Sequence, residues 1–227
     1  MLDEPEVDPA LRALDRALLN AIRARLAAAP PARADAGALA LRALLAQASV
    51  AEAAVVKAAW GRVSAATEAP LVVWGAAAQT LVADRHGLSA RTAADPDQAL
   101  AEALRGARAV LDIHPKQPWW GRLLARPELR VIAALPDEPT ARPRALMVSG
   151  APSGPSGEDR TFWVTDSGLD DTAIVEALGR AGLAASLLAS AGGLKLFMLA
   201  GYVQAEDGRL SGAPGALSGV IGAAPVF

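Results

Sequence analysis

The stretch LVVWGAAAQTLVADRHG, residues 71–87, decides how the first half of the chain folds. Four apolar residues precede Gly75, and a helix-forming run over 76–86 follows until Gly87 ends it. Strands that alternate with helices at this spacing predict parallel β-α-β units with right-handed crossovers. The alternation continues with a strand predicted over LSART (88–92), a helix over 95–105 that opens at Asp95-Pro96, and a buried strand over AVLDI (109–113).

The segments before and after these β-α-β units differ in composition and predict different structures. Residues 1–68 predict three helices, which cover Pro9 to about Ala29, 35–48 and 50–67. Beyond the β-α-β units, RVIAAL (130–135) and ALMVSG (145–150) predict strands, and APSGPSGED (151–159) predicts a flexible linker. The last third predicts the order β-α-β-β-(α)-β of small ferredoxin-like modules, with strands over 160–165, 184–190, 194–203 and 216–222 and a helix over 170–181.

Composition excludes several classes of site. The chain has 227 residues, of which 52% are apolar, so it can bury a sizeable core. A net charge of −2 without a basic stripe argues against nucleic acid as a partner. With no cysteine, thiolate metal sites and cysteine nucleophiles are impossible, and His86 and His114 lack metal-ligand spacing. We therefore expect no metal and no cofactor.

The sequence also lacks targeting signals and the common nucleotide-binding and hydrolase motifs. The chain has neither the layout of a signal peptide nor an apolar run of about 18 residues, so it predicts a cytoplasmic protein with no membrane partner. The single glycine in VVWGAAAQ does not make a dinucleotide fingerprint, and neither a P-loop lysine nor a G-x-S-x-G elbow is present.

Helix LRALDRALLNAIRARLA, residues 11–27, carries one unusual arginine. On a helical wheel at about 100° per residue, Arg25 falls about 20° from Leu14, inside the apolar stripe. Arg12, Arg16 and Arg23 lie on the far side. A buried guanidinium is costly unless it is paired, so Arg25 requires a carboxylate, either from a ligand or from a side chain. Glu52 and Asp15 are the candidate side-chain partners.

The helical segment resembles the all-helical chorismate mutases, because the 11–27 pattern is followed by two more helices and by AAWGRVSAAT. The rest of the chain resembles, more loosely, the prephenate dehydratase region and the ACT module that follow such a mutase in fused chains. LVVWGAAA lies where the dehydratase's first strand and glycine turn lie, and PSGEDRTFWVT resembles its closing strand. The resemblance implies conversion of chorismate to prephenate, with Arg25 clamping a carboxylate and Thr67 as a polar contact. It also implies a dicarboxylate ligand and a homodimer formed through residues 1–68, whose third helix is nearly all apolar.

The expected fold class is thus α+β and multi-domain. It comprises a three-helix chorismate mutase-like segment (1–68), a small α/β parallel-sheet domain that is a truncated prephenate dehydratase-like unit (69–150), and a ferredoxin-like ACT-type module (160–227). Because the Arg-Glu pair that opens the family's second helix aligns with Ala36 and Gly37, the alternative is a pseudoenzyme that binds a ligand or a partner on the same scaffold. Trp119 and Trp120 either line a pocket or wedge a short helix onto the sheet.

Overall fold

The computed structural model describes residues 9–31, 33–113 and 117–227. The helices within these ranges are α1 (Pro9–Ala27), α2 (Ala34–Leu45), α3 (Val50–Thr67), α4 (Ala76–His86), α5 (Pro96–Leu104) and α6 (Asp171–Arg180), with short 3₁₀ segments at Trp119–Ala125 and Gly208–Leu210. The strands are β1 (Leu71–Trp74), β2 (Arg91–Thr92), β3 (Arg108–Asp112), β4 (Arg130–Leu135), β5 (Ala145–Ser149), β6 (Asp159–Thr165), β7 (Ala185–Ala191), β8 (Leu194–Ala200) and β9 (Ser218–Pro225).

Local sequence signals account for the helix bounds. Helix α3 begins with a capping box, in which the backbone N–H of Ser49 donates to the Glu52 carboxylate at 2.7 Å. Helix α5 begins where predicted, because the Asp95 carboxylate accepts from the Gln98 N–H at 2.8 Å and Pro96 follows it. The predicted helices over 50–67 and 76–86 and the predicted strand over 130–135 are confirmed at both ends.

One mixed sheet contains all the described strands, in the order β2-β1-β3-β5-β4-β9-β6-β8-β7. Strand β1 is parallel to both β2 and β3, which confirms the predicted β-α-β units. Strand β5 then runs antiparallel between β3 and β4. In the second half, β9 and β8 flank β6 and both run antiparallel to it.

The predicted fold class is wrong, because the described chain forms one continuous nine-stranded sheet. Strand β9 pairs with β6 on one side and with β4 on the other, so the C-terminal segment is not a separate ferredoxin-like ACT-type module. The N-terminal helices do not form a chorismate mutase-like unit either, since α3 packs against α4, which itself lies on the sheet. The domain boundaries 1–68, 69–150 and 160–227 stay predictions.

The two halves of the sheet meet at Gly222, which pairs with Val131. Its φ is +134°, and a Cβ there would lie 2.4 Å from the Val131 backbone nitrogen and oxygen. Glycine is required here both by this left-handed backbone and by the close approach of the strands.

We expect Gly222→Ala to lower the free energy of unfolding by about 2–4 kcal/mol, since it adds backbone strain and a clash between strands. Urea denaturation followed by circular dichroism measures this change. Gly179→Ala is the matched control, because a Cβ there meets nothing within 4 Å. Equal stabilities of the two variants would contradict this account of the junction.

Helices cover both faces of the sheet. On one face the core contains α5 together with Trp119 and Trp120, which are 1% and 0% exposed. Their rings meet edge to face at 6.1 Å, and the Trp119 indole N–H donates to the Asp112 carbonyl at 2.6 Å. The tryptophan pair therefore wedges the 3₁₀ segment onto the sheet, which confirms the second of the two interpretations.

The loop predicted as a flexible linker is pinned to α2. Gly154 and Ser156 in this loop are buried. The Arg42 guanidinium donates to the Ser156 carbonyl and, at 3.0 and 2.9 Å, to the carbonyls of Glu158 and Val226. The linker interpretation is thus wrong, because one half-buried arginine ties the loop and Val226, which follows β9, to the helical layer.

Among the described residues, no helix combines the length and the apolar character that a membrane crossing requires.

Candidate functional site

A cavity of about 630 Å³ lies between the helical layer and the sheet face formed by β4 and β5. This volume is within the range of small-molecule sites. Small residues on the facing helices leave the space open, including Gly37 and Ala38 on α2 and Ser64 on α3. At Gly61 the helices approach so closely that a Cβ would lie 1.9 Å from the Arg85 carbonyl oxygen of α4. Gly61 therefore fixes the distance between α3 and α4 at the wall of the cavity.

Apolar groups form much of the cavity lining. The sheet contributes Ile132 and Met147, and the helices contribute Leu41 and Trp60. Phe227 closes one side, and its ring lies 5.5 Å from the Arg42 guanidinium carbon. The cavity is thus suited to a ligand with an apolar body.

Arg108 is a structural clamp in this wall. Its side chain is buried and donates to the Ser64 hydroxyl at 2.7 Å, to the Ser64 carbonyl at 3.0 Å and to the Ala69 carbonyl at 2.9 Å. It also forms an ion pair with Glu68. Burial lowers the pKa of Arg108 below its usual value, and the Glu68 charge opposes that shift. Because these contacts occupy most of its donors, Arg108 holds the end of α3 to β3 and has little left for a ligand.

Arg85 is the cation with spare donors. Its Nε lies 3.3 Å from the Asp137 carboxylate, which Lys57 also contacts. Asp137 thus faces two cations, although Glu138 lies 3.1 Å from Lys57 on the exposed side. Arg85 Nη1 is buried and has no hydrogen-bond partner in the described part of the chain. A buried donor left unpaired costs about 1–3 kcal/mol, so this nitrogen favours an incoming acceptor.

His86 adds an acceptor to the same wall. Its Nδ1 lies 3.1 Å from the Gly61 carbonyl oxygen, so Nδ1 carries the proton in the neutral ring. Burial, reinforced by the Arg85 charge, lowers the pKa of His86 to about 4. At neutral pH the imidazole is therefore uncharged, and its Nε2 lone pair can accept a hydrogen bond.

The structure brings Arg25 and Thr67 together at a neighbouring hollow of only about 10 Å³. The Arg25 guanidinium carbon lies 4.2 Å above the Trp60 ring, and its Nε is buried without a hydrogen-bond partner. Thr67 donates its hydroxyl to the Val63 carbonyl at 2.9 Å. A hollow of this volume holds at most one water molecule. The assignment of Arg25 and Thr67 as ligand-binding residues stays a prediction.

Neither proposed side-chain partner of Arg25 contacts it in the described residues. Glu52 is instead committed to the capping box of α3, and Asp15 lies ten positions away along α1. The apolar stripe that Arg25 shares is itself exposed, with Leu14 at 66% and Leu18 at 64%. The helical wheel places Arg25 on the same face of α1 as these leucines, but that face does not pack against the protein core.

The remaining sequence candidates give no second site. His114 lies outside the described residues. Across the described ranges, no cluster of acidic and histidine side chains has metal-binding geometry. The first turn of α4, where a phosphate would bind, is occupied by Asp112, whose carboxylate accepts from the backbone N–H groups of Ala77 (3.2 Å) and Ala78.

Comparisons with known proteins return little. No family model matches the chain, and no curated protein is similar to it. A solved structure described as "GqqA- a novel type of quorum quenching acylases" is similar at 15% identity and a TM-score of 0.47, over 69% of this chain and 95% of that one. This likeness is too weak to support an argument about function.

The resemblance to the chorismate mutase and prephenate dehydratase fusion is nevertheless wrong. The described chain forms one continuous nine-stranded sheet, and strand β9 joins its two halves, so the described residues contain no separate three-helix mutase unit or ACT-type module. The expected conversion of chorismate to prephenate is therefore wrong as well, and so is the alternative of a pseudoenzyme on the same scaffold. Short matches such as AAWGRVSAAT reflect an alanine-rich helix, which many folds contain.

Proposed function

We propose that the protein binds a small organic anion with an apolar body in the cavity between α2–α3 and β4–β5. The observation that carries this proposal is that Arg85 lines the cavity and that its buried Nη1 has no hydrogen-bond partner in the described residues. A carboxylate or another anionic oxygen would satisfy this donor. Charge-assisted hydrogen bonds of this kind are about twice as strong as neutral ones.

The neighbouring groups define the rest of the ligand. His86 presents a neutral acceptor at neutral pH, so a hydroxyl or N–H group beside the anionic group would complete the polar contacts. Trp60, Met147 and Phe227 would then pack against an aromatic or short aliphatic body. The ligand class is a hydroxylated or amino-substituted organic acid of modest size.

Calorimetric titration with 3-phenylpropionate and its uncharged amide tests the proposal. We expect the acid to bind and the amide to bind at least about tenfold more weakly, since the amide lacks the charge that Arg85 recognises. In Arg85→Gln the preference for the acid should disappear.

Arg62→Gln is the matched control, because Arg62 is an exposed arginine on the same helical layer. It should bind both compounds like the unmodified protein. Thermal melts establish that Arg85→Gln is folded. Equal binding of acid and amide, or an unchanged preference in a folded Arg85→Gln, would refute the proposed ligand class.

A further inference from the structure

Helix α1 exposes an apolar face that, in the described chain, is covered only near Arg25, where Trp60 packs. Its main contacts within the described chain are to α3, with Arg25 stacked on Trp60 near the helix end. A lone helix of 19 residues is marginal in water and depends on packing its apolar face. The large apolar side chains on this face remain exposed: Leu14 66%, Leu18 64%, Leu19 45%, Ile22 37% and Leu26 43%.

Two opposite charges lie within this face. On the helical wheel, Asp15 falls about 100° from Leu14, between Ile22 and Leu26, and Arg25 falls about 20° from it. Neither forms an ion pair within the described residues, and Arg25 Nε is buried without a partner. Ten residues of helix separate the two by about 15 Å, so they cannot meet within one copy of α1.

We propose that a second copy of this chain docks on α1 in antiparallel orientation, with a two-fold axis at the level of residue 20. In this register Asp15 of each copy lies opposite Arg25 of the other. Leu14 then faces Leu26, and Leu18 faces Ile22. The two-fold rotation therefore covers the apolar face of both helices and forms two Asp15–Arg25 ion pairs. An interface in which both copies use the same surface requires such self-complementarity.

The pattern favours a second copy over an unrelated partner. An unrelated protein would have to supply a matching apolar strip with an acid and a base at the correct separation. Helix α1 already carries both in the order that its own antiparallel copy needs. The interface is also independent of the proposed ligand, because the exposed side chains of α1 do not line the main cavity.

Charge reversal tests this interface by light scattering and sedimentation at micromolar concentration. The unmodified protein should be a dimer. Asp15→Arg and Arg25→Asp, each alone, place like charges opposite one another and should weaken the dimer at least about tenfold. An equimolar mixture of the two variants should form a heterodimer, because every pair in it is opposite in charge.

Two further variants complete the test. The double variant Asp15→Arg/Arg25→Asp exchanges the charges and should dimerise like the unmodified chain, even though it loses the stacking of Arg25 on Trp60. Arg23→Asp, on the opposite side of the helix, should leave the dimer intact. A monomeric unmodified protein, a mixture that stays monomeric, or equal weakening by Arg23→Asp would each overturn the proposal.

Discussion

Arg108→Met should lower the free energy of unfolding by about 3–5 kcal/mol, the range found when one partner of a buried ion pair is removed. The substitution leaves Glu68 without its cation and leaves the Ser64 hydroxyl and carbonyl without their donors. Because methionine fills a similar volume, the loss of stability measures the missing polar contacts more than the effect of an empty cavity.

Urea denaturation measures this effect, and two variants calibrate it. Arg108→Lys keeps the charge near Glu68 but cannot reproduce the forked donors, so we expect an intermediate loss. Arg105→Met removes an exposed arginine paired with Glu102 and should change stability by less than about 1 kcal/mol. If Arg108→Met costs no more than Arg105→Met, Arg108 is not the clamp that holds α3 to β3.

His86 should make the protein less stable as the pH falls from about 6.5 toward 4. In the unfolded chain the imidazole has its ordinary pKa near 6.5, whereas burial lowers the pKa of His86 to about 4 in the folded state. Between these values only the unfolded chain takes up the proton. Stability is therefore complete above pH 6.5, and the loss is about 2 kcal/mol by pH 5.

The comparison of stability at pH 7.5 and pH 5 in His86→Asn isolates this contribution. The Asn side-chain amide can replace Nδ1–H as donor to the Gly61 carbonyl, but it does not titrate. The difference between the two proteins cancels all other titrating groups. Identical pH profiles would show that His86 is not held neutral in the folded protein.

Local structure was predictable because its causes are local. LVVW at 71–74 is a continuous apolar run bounded by Pro70 and Gly75, and the strand has those bounds. The Asp95-Pro96 pair marks the start of α5 for the same reason, since cap and backbone preferences act within one turn.

The order of strands and the cavity were not predictable because they depend on contacts distant in sequence. In the sequence nothing distinguishes Gly222 from the other glycines, and only its pairing with Val131 requires a glycine there. Arg85 and His86 have the composition of a solvated helix end, but the close approach of α3 at Gly61 helps to cover both side chains. Helical periodicity places Arg25 on the apolar stripe of α1. Periodicity predicts which residues share a helix face, but it does not predict what packs on that face.

A crystal structure with bound 3-(4-bromophenyl)propionate tests the central claim most directly. We predict a bromine anomalous peak among Trp60, Met147 and Phe227. The carboxylate should lie about 2.7–2.9 Å from Arg85 Nη1, the distance of a charge-assisted hydrogen bond. A bromine peak elsewhere on the protein, or a carboxylate that leaves Arg85 Nη1 unpaired, would contradict the assignment of this cavity as an organic-anion site.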